Sequence, residues 1–198
     1  AKPALRSRIS PGASWRFIFP RTNSACAPPL GALDKPFHRR ILTDMIPERV
    51  QQVLDRHGLQ ALTFEPGSTP TSEMAAARIG VEVGQIAKSI LMAGKDGHFR
   101  LVVLRGDQKV HTTMFKNITG CKHRMATVEE TLEATGFPVG GVCPFDPAGL
   151  EVYLDQGLGM YGTIYPSAGT DASGVPVTLE RLAAITWGTV CDLTREET

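Results

Sequence analysis

The sequence predicts an α+β fold: a mixed, partly barrel-like sheet with helices packed around it, in a single domain over residues 45–198. Three observations predict it. Short apolar runs of strand length alternate with amphipathic segments of helix length, capping and stop residues punctuate those segments, and no internal repeat or low-complexity tract interrupts them. The composition agrees, with 42% hydrophobic and 21% charged residues in 198, ordinary values for a soluble globular chain with a core of its own.

Each element has its own reason. From Pro47 to Gly58 the pattern is helical: Pro47 suits a first helical position, Val50, Val53 and Leu54 share a face, and Gly58 suits the stop. Leu62 and Phe64 mark a short strand. Thr69, before Pro70, reads as the N-cap of a second helix running through Ala77 and Ile79 to Gly80. Residues 88–93 and 99–104 are apolar strands joined by the turn at 94–97. Residues 111–118 read as helix, and the capping box from Thr127 to Glu130 opens another that ends at Gly136. Residues 151–154, 163–166 and 175–177 read as strands, Thr178 to Ile185 as a last helix, and 189–193 as a last strand.

Residues 1–44 differ from this pattern. They hold six prolines, eight Lys/Arg and only Asp34 and Asp44 as acids, with no clean apolar periodicity. Three readings stay open: an upstream translated or vector-derived leader with Met45 as the natural start, an Arg-rich transit peptide, or a disordered basic arm that touches RNA. The first is preferred, and the segment is set aside in reading the fold.

Bulk properties exclude several classes. No apolar run approaches the roughly 18 residues of a membrane-spanning helix. The cysteines Cys26, Cys121, Cys143 and Cys191 form no CxxC pair, so neither a zinc ribbon nor a disulfide framework is expected, and a cytoplasmic setting is the default. No HExxH, GxxxxGK[ST], GxSxG or strand-linked GxGxxG occurs, and no metal or other cofactor is expected. The net charge of +1 conceals +6 in residues 1–44 and −5 in residues 45–198. Within the latter, residues 88–124 hold eight basic residues against Asp96 and Asp107. Such a segment is either a solvated charged face or a local grip on a polyanion.

The most unusual stretch is residues 136–147, Gly-Phe-Pro-Val-Gly-Gly-Val-Cys-Pro-Phe-Asp-Pro. Three glycines and three prolines in twelve residues preclude regular helix or strand. Glycine allows close backbone approach and proline stiffens the adjoining turns, so the loop either presents main-chain N–H and C=O groups to a ligand or is an awkward connection. Lys88 opens an apolar strand and is either an edge residue with its head in water or a cation held in a cleft. Asp155 ends a strand and Gly169 lies in a Ser-Ala-Gly loop, both common placements. Cys143 within the Gly/Pro loop raises a cysteine hydrolase, which needs a histidine base from His38, His57, His98, His111 or His123.

Taken in order, these pieces resemble the YbaK-like family of aminoacyl-tRNA deacylases, which includes the editing domain of bacterial prolyl-tRNA synthetase. The resemblance runs from about Met45 to Thr194. It rests on Thr69 with the Ala-rich helix from Met74 to Gly80, then Ile86-Ala-Lys88-Ser-Ile-Leu, then Val102 to Val110. It continues with Ala126 to Glu130, the stretch Thr135 to Phe145 containing a GxxxP loop from Gly140 to Pro144, Tyr153-Leu-Asp155, Ser167-Ala-Gly169, and Val177 onward.

The resemblance implies a function. A deacylase of this kind hydrolyses a mischarged tRNA bearing a small amino acid, of the Cys- or Ala-tRNAPro type, without a protein nucleophile. Lys88 is then expected to hold the tRNA 3′ end, and the backbone from Gly140 through Gly141 and Val142 to Pro144 to fix the ester carbonyl and a water. Thr69, Cys143, Asp155, Ser167 and Gly169 are expected around the substrate, with Cys143 lining the site and Asp155 bonding the substrate or ordering Lys88. Phosphate contacts are expected from Lys95, Arg105, Lys109, Lys116, Lys122 and Arg124. The expected partners are aminoacyl-tRNA and a synthetase, with no membrane and no DNA. Such an ester is already activated, so positioning and oxyanion stabilisation supply much of the rate. The alternatives are a catalytically silent tRNA- or synthetase-binding module of the same fold, a cysteine hydrolase acting through Cys143, and a regulatory or structural role for the basic arm.

Overall fold

The computed structural model describes residues 46–194, so the readings for residues 1–44 lie outside the described residues. The chain begins with helix α1 (Glu48–Arg56), whose Val50 and Leu54 are fully buried. Pro47 stands one position earlier than expected, as the extended N-cap. Strand β1 (Leu62–Thr63) is brief, and helix α2 follows (Ser72–Ile79). Its N-cap is Thr71, whose hydroxyl accepts from the Met74 N–H, and not Thr69 as the sequence suggested. The Thr69 hydroxyl is instead donated to the Asp171 carbonyl, and Thr71, in the extended backbone an N-cap requires, takes the capping role.

Strands β2 (Ile86–Gly94) and β3 (Phe99–Arg105) form the expected antiparallel hairpin. Helix α3 (Thr112–Thr119), strand β4 (His123–Met125) and helix α4 (Val128–Thr135) come next. The capping box of α4 is formed as read: Thr127 accepts from the Glu130 N–H while Glu130 accepts from the Thr127 N–H. After the Gly/Pro loop come β5 (Glu151–Asp155), β6 (Tyr165–Pro166), β7 (Ser173–Gly174), α5 (Leu179–Thr186) and β8 (Thr189–Cys191). The strand expected at 175–177 is reduced to one bridge between Ile164 and Val177, and pairing falls instead on Ser173 and Gly174, which meet β1.

The main sheet runs β4-β2-β3-β5-β8, with β6 also on β2. It is mixed, with β2, β3 and β4 antiparallel and the β3–β5, β5–β8 and β2–β6 pairs parallel. The sheet is open and does not close into a barrel. Alternation along the strands divides the core. Leu101, Val103, Val152 and Leu154 face α1, α5 and the Gly/Pro loop, while Met92, Val102 and Leu104 face Phe115 of α3 and Leu193. Fully burying a side chain of this kind is worth about 1.5–3 kcal/mol. The packing of the first face thus fixes the loop that borders the site.

Candidate active site

The site arises where the sheet leaves an edge unfilled. On one side β2 pairs with β6 through Ile86 and Ala87, and with β4 through Met92 to Gly94. Between them Lys88–Leu91 have no strand neighbour on that edge among the described residues. The Leu91 carbonyl accepts from the Ala126 N–H at 2.9 Å, so its main-chain groups face that edge. Strand alternation turns the N–H and C=O of Ser89 the same way, into the gap.

A cavity of about 340 Å³ occupies this gap, within the range of about 300–1,000 Å³ usual for small-ligand sites. Lys88 and Ser89 form part of its floor; Thr69, Thr71 and Ala75 come from α2 and the segment before it. Gly140 and Val142 come from the Gly/Pro loop, and Ser167, Thr170 and Asp171 from the loop after β6. Apolar side chains, among them Phe64, Ile79, Ile90, Met125 and Val139, complete the wall.

Lys88 is half-buried, and its ammonium donates to the Gly106 carbonyl at 2.8 Å. Burial lowers its pKa, Asp107 and Glu73 pull it back up, and nearby Lys109 lowers it further. The cation is therefore held by one hydrogen bond, with two N–H groups left over for a ligand.

The Gly/Pro loop is fastened from outside the cavity. The Arg49 guanidinium of α1 donates to the Thr135 carbonyl at 2.7 Å, lies 4.2 Å from the Phe137 ring centre, and pairs with Asp146 at 3.2 Å. One side chain thus ties both ends of the loop to α1. Inside it, Gly141 donates its N–H to the Pro138 carbonyl at 2.9 Å, closing a turn. Gly140 stands in the left-handed region at φ 89°, where a side chain is strained. A Cβ on Gly141 would come within 3.0 Å of the Thr170 backbone, so that glycine is needed for packing against the neighbouring loop.

The structure brings Lys88, Thr69, Gly140, Val142 and Ser167 to one cavity. It places the other expected residues elsewhere. Gly141 spends its N–H within the turn, and Cys143 is 1% exposed in the apolar core. Burial pushes the Cys143 thiol up to about 12, the opposite of what a thiolate nucleophile requires. Cys143 therefore does not line the cavity, although its neighbour Val142, also in the core, borders it. Pro144 is buried beside it. Gly169 packs against Pro47 and Phe137.

Asp155 is fully buried, and its carboxylate accepts from the N–H groups of Leu193 and Gly157 and from the Thr194 hydroxyl. Burial raises its pKa while those bonds oppose the shift. With its oxygens so engaged, it orders the end of β8 and not Lys88, which corrects the sequence-based expectation. Thr69 donates its hydroxyl to the Asp171 carbonyl, tying the two sides of the cavity together.

The basic residues are scattered. Lys95 and Lys122 are neighbours, the Lys95 N–H donating to the Lys122 carbonyl at 2.9 Å, with Arg124 in the adjoining strand. Arg124 pairs with Glu130 at 2.6 Å and Arg105 with Asp107 at 2.6 Å, so part of their charge is neutralised. Lys95, Lys109, Lys116 and Lys122 are exposed. Ser89 and Asp171 were missed by sequence reasoning. The first merely follows Lys88, and the second stands four residues after Ser167, a spacing with no meaning until the loop folds. Among the described residues no cluster of three or more His, Cys, Asp or Glu side chains is placed to hold a metal ion, and no helix is long and apolar enough to cross a membrane.

With this geometry in hand, comparison with known proteins is specific. The family profile described as "Aminoacyl-tRNA editing domain" matches residues 66–185. The uncharacterized protein YwhH of Bacillus subtilis is 38% identical over 127 residues, which make up 62% of this chain and 79% of YwhH. A proline--tRNA ligase of Halalkalibacterium halodurans is 35% identical over 101 residues, 50% of this chain but only 18% of the ligase. Among solved structures, a proposed trans-editing enzyme for prolyl tRNA synthetase superposes with a TM-score of 0.68 at 35% identity, covering 74% of this chain and 95% of that one.

Proposed function

Because the chain belongs to the aminoacyl-tRNA editing domain family, we propose that it is a trans-editing deacylase, hydrolysing a small amino acid wrongly esterified to a tRNA of the proline type. The observation that carries this reading is the convergence of Lys88, Thr69, Gly140, Val142 and Ser167 on one cavity at the unfilled edge of β2. A cavity of about 340 Å³ with apolar walls suits a short side chain next to a ribose, and the Lys88 ammonium suits a phosphate.

In this reading a water oxygen attacks the ester carbonyl carbon, and the bond to the ribose oxygen breaks. The ribose oxygen leaves with a proton, and the free amino acid departs. The protein supplies position: Lys88 holds the 3′-terminal phosphate, and the open main chain of Ser89 and of the loop at Gly140 and Val142 receives the ester and the water. Since no buried thiolate or histidine base is needed, the elevated Cys143 pKa is no obstacle. Apolar walls discriminate by size, at about 1–3 kcal/mol per methylene. Exposed Lys95, Lys109, Lys116 and Lys122 serve the tRNA backbone, and a synthetase partner supplies tRNA identity.

The test is release of labelled amino acid from a panel of mischarged tRNAs, including Ala-tRNAPro and Cys-tRNAPro, by the full chain and by Lys88→Ala. Rapid release of one small amino acid, lost in the variant, supports the reading. A folded protein that releases none of them, with or without a prolyl-tRNA synthetase, sinks it in favour of a binding module.

A further inference from the structure

Two residues of the cavity wall, Ser89 and Asp171, each carry a buried side-chain oxygen, Oγ and Oδ1, with no hydrogen-bond partner among the described residues. The other two unpartnered atoms, Ser68 Oγ and His123 Nδ1, belong to residues outside this wall. An unpaired buried carboxylate oxygen is costly, and such an atom in a ligand cavity marks a place where the ligand supplies the missing donor.

Asp171 is fixed where it stands. Its carbonyl accepts from Thr69, and its Cβ lies 3.9 Å from where a side chain on Gly140 would begin. Asp171 is thus lodged between the Gly/Pro loop and the segment before α2. No cation pairs with it among the described residues; Lys88, the ammonium group of the same cavity, is bound to Gly106 instead. The cavity therefore presents one fixed positive and one fixed negative group.

An aminoacyl ester on a nucleotide has the matching pair of charges. Its phosphate is anionic, and its α-amino group carries a proton over much of the neutral range. We infer that Asp171 is the receptor for the substrate's α-ammonium group, so that the site selects esters of free amino acids and turns the ester carbonyl toward the Gly140 loop. This rests on the deacylase reading and adds to it a substrate-binding residue that sets specificity. A carboxylate paired with an ammonium in a partly dry cavity forms a charge-assisted bond, stronger than a neutral one. A neutral ester would leave Asp171 without a cationic partner, exchanging the charge-assisted bond for a weaker neutral one, and sites built around a charged partner favour ligands that supply it.

The experiment compares Ala-tRNAPro with its deaminated lactyl counterpart, in which a neutral hydroxyl of similar size replaces the ammonium. Each enzymatic kcat/KM is divided by the uncatalysed hydrolysis rate of the same ester, because the ammonium itself activates the ester. The wild-type chain is expected to prefer the alanyl ester at least ten-fold after this correction. Asp171→Asn is expected to lose the preference, chiefly through a raised KM for the alanyl ester. Equal corrected rates in the wild type overturn the inference without reference to any variant, and so does a variant that retains the preference. A wild-type chain that hydrolyses neither ester, nor any other ester of the mischarged panel with or without a prolyl-tRNA synthetase, removes the deacylase reading itself, and the role of Asp171 with it.

Discussion

The Lys88 ammonium and the Gly106 carbonyl meet at 2.8 Å, so the charged group of β2 is anchored to the first residue after its partner strand β3. Gly106 has no room for a side chain, since a Cβ there would lie 2.4 Å from the Val83 carbonyl oxygen. Removing the cation by Lys88→Ala is expected to lower kcat/KM by about 10²–10³-fold, the usual loss for one well-placed donor. Gly106→Ala is expected to lower both activity and Tm, because the backbone must shift and carry the anchor with it. Steady-state deacylation and thermal melts of the two variants check this; a fully active Lys88→Ala protein contradicts the proposed phosphate contact.

Cys143→Ser separates the two hydrolytic chemistries. A thiol in the core with its pKa raised to about 12 is a packing group, and a hydroxyl in its place is poorly solvated. The variant is expected to lose about 1–3 kcal/mol of stability. Its kcat at a temperature where it stays folded should lie within a few-fold of wild type. Complete loss of turnover in a folded variant would restore the cysteine-hydrolase reading.

Arg49 joins Thr135 and Asp146, the two sides of the Gly/Pro loop, without touching the cavity. Arg49→Met keeps much of the apolar stem over Phe137 but removes the donors. Looser loop geometry should lower kcat by roughly ten-fold or more, since small misplacements are costly in positioning catalysis, with KM little changed. A rise in KM alone argues that the loop binds substrate but does not orient it.

The Glu130 carboxylate sits between Arg124 and the Thr127 N–H, and its pKa falls from the ordinary 4.5 to about 2, with the Arg124 hydrogen bonds the largest cause. A lowered folded-state pKa contributes stability that is present above the unfolded value and lost as pH falls through the folded one. Glu130→Gln should therefore melt slightly below wild type at pH 7, with the gap closing between about pH 4.5 and pH 2. High salt should narrow the gap at pH 7, as the pair is exposed. Melting curves across that pH range decide it.

Exposed Lys95 and Lys122 lie side by side at one end of β2 and β4. If they contact tRNA phosphates, replacing each with alanine reduces the slope of log Kd against log salt by about one. A slope unchanged in the double variant places the tRNA body on another face.

Much of the fold was legible in sequence because its signals are local. The Thr127–Glu130 box, the Gly136 stop, and the apolar runs of β2 and β3 each act within a few residues, and each formed where expected. Errors came where two local signals competed. Proline at 70 favoured Thr69 as the cap read from the sequence, whereas Thr71, on the other side of that proline, is the hydroxyl that reaches the Met74 N–H. The 175–177 stretch has strand composition, but strand pairing is a long-range event, and β1 was available only to Ser173 and Gly174.

The sequence by itself determined the elements, the position of Lys88 at the head of a strand, and the irregular loop from 136 to 147, because glycine, proline and apolar periodicity constrain the backbone residue by residue. Only the tertiary structure decided which residues share the cavity. It left the β2 edge open at Lys88–Leu91, turned Cys143 and Asp155 into the core, and set Asp171 beside Gly140. Those outcomes depend on pairing register and on which side of a loop meets the core, and both are fixed by contacts between segments far apart in the chain.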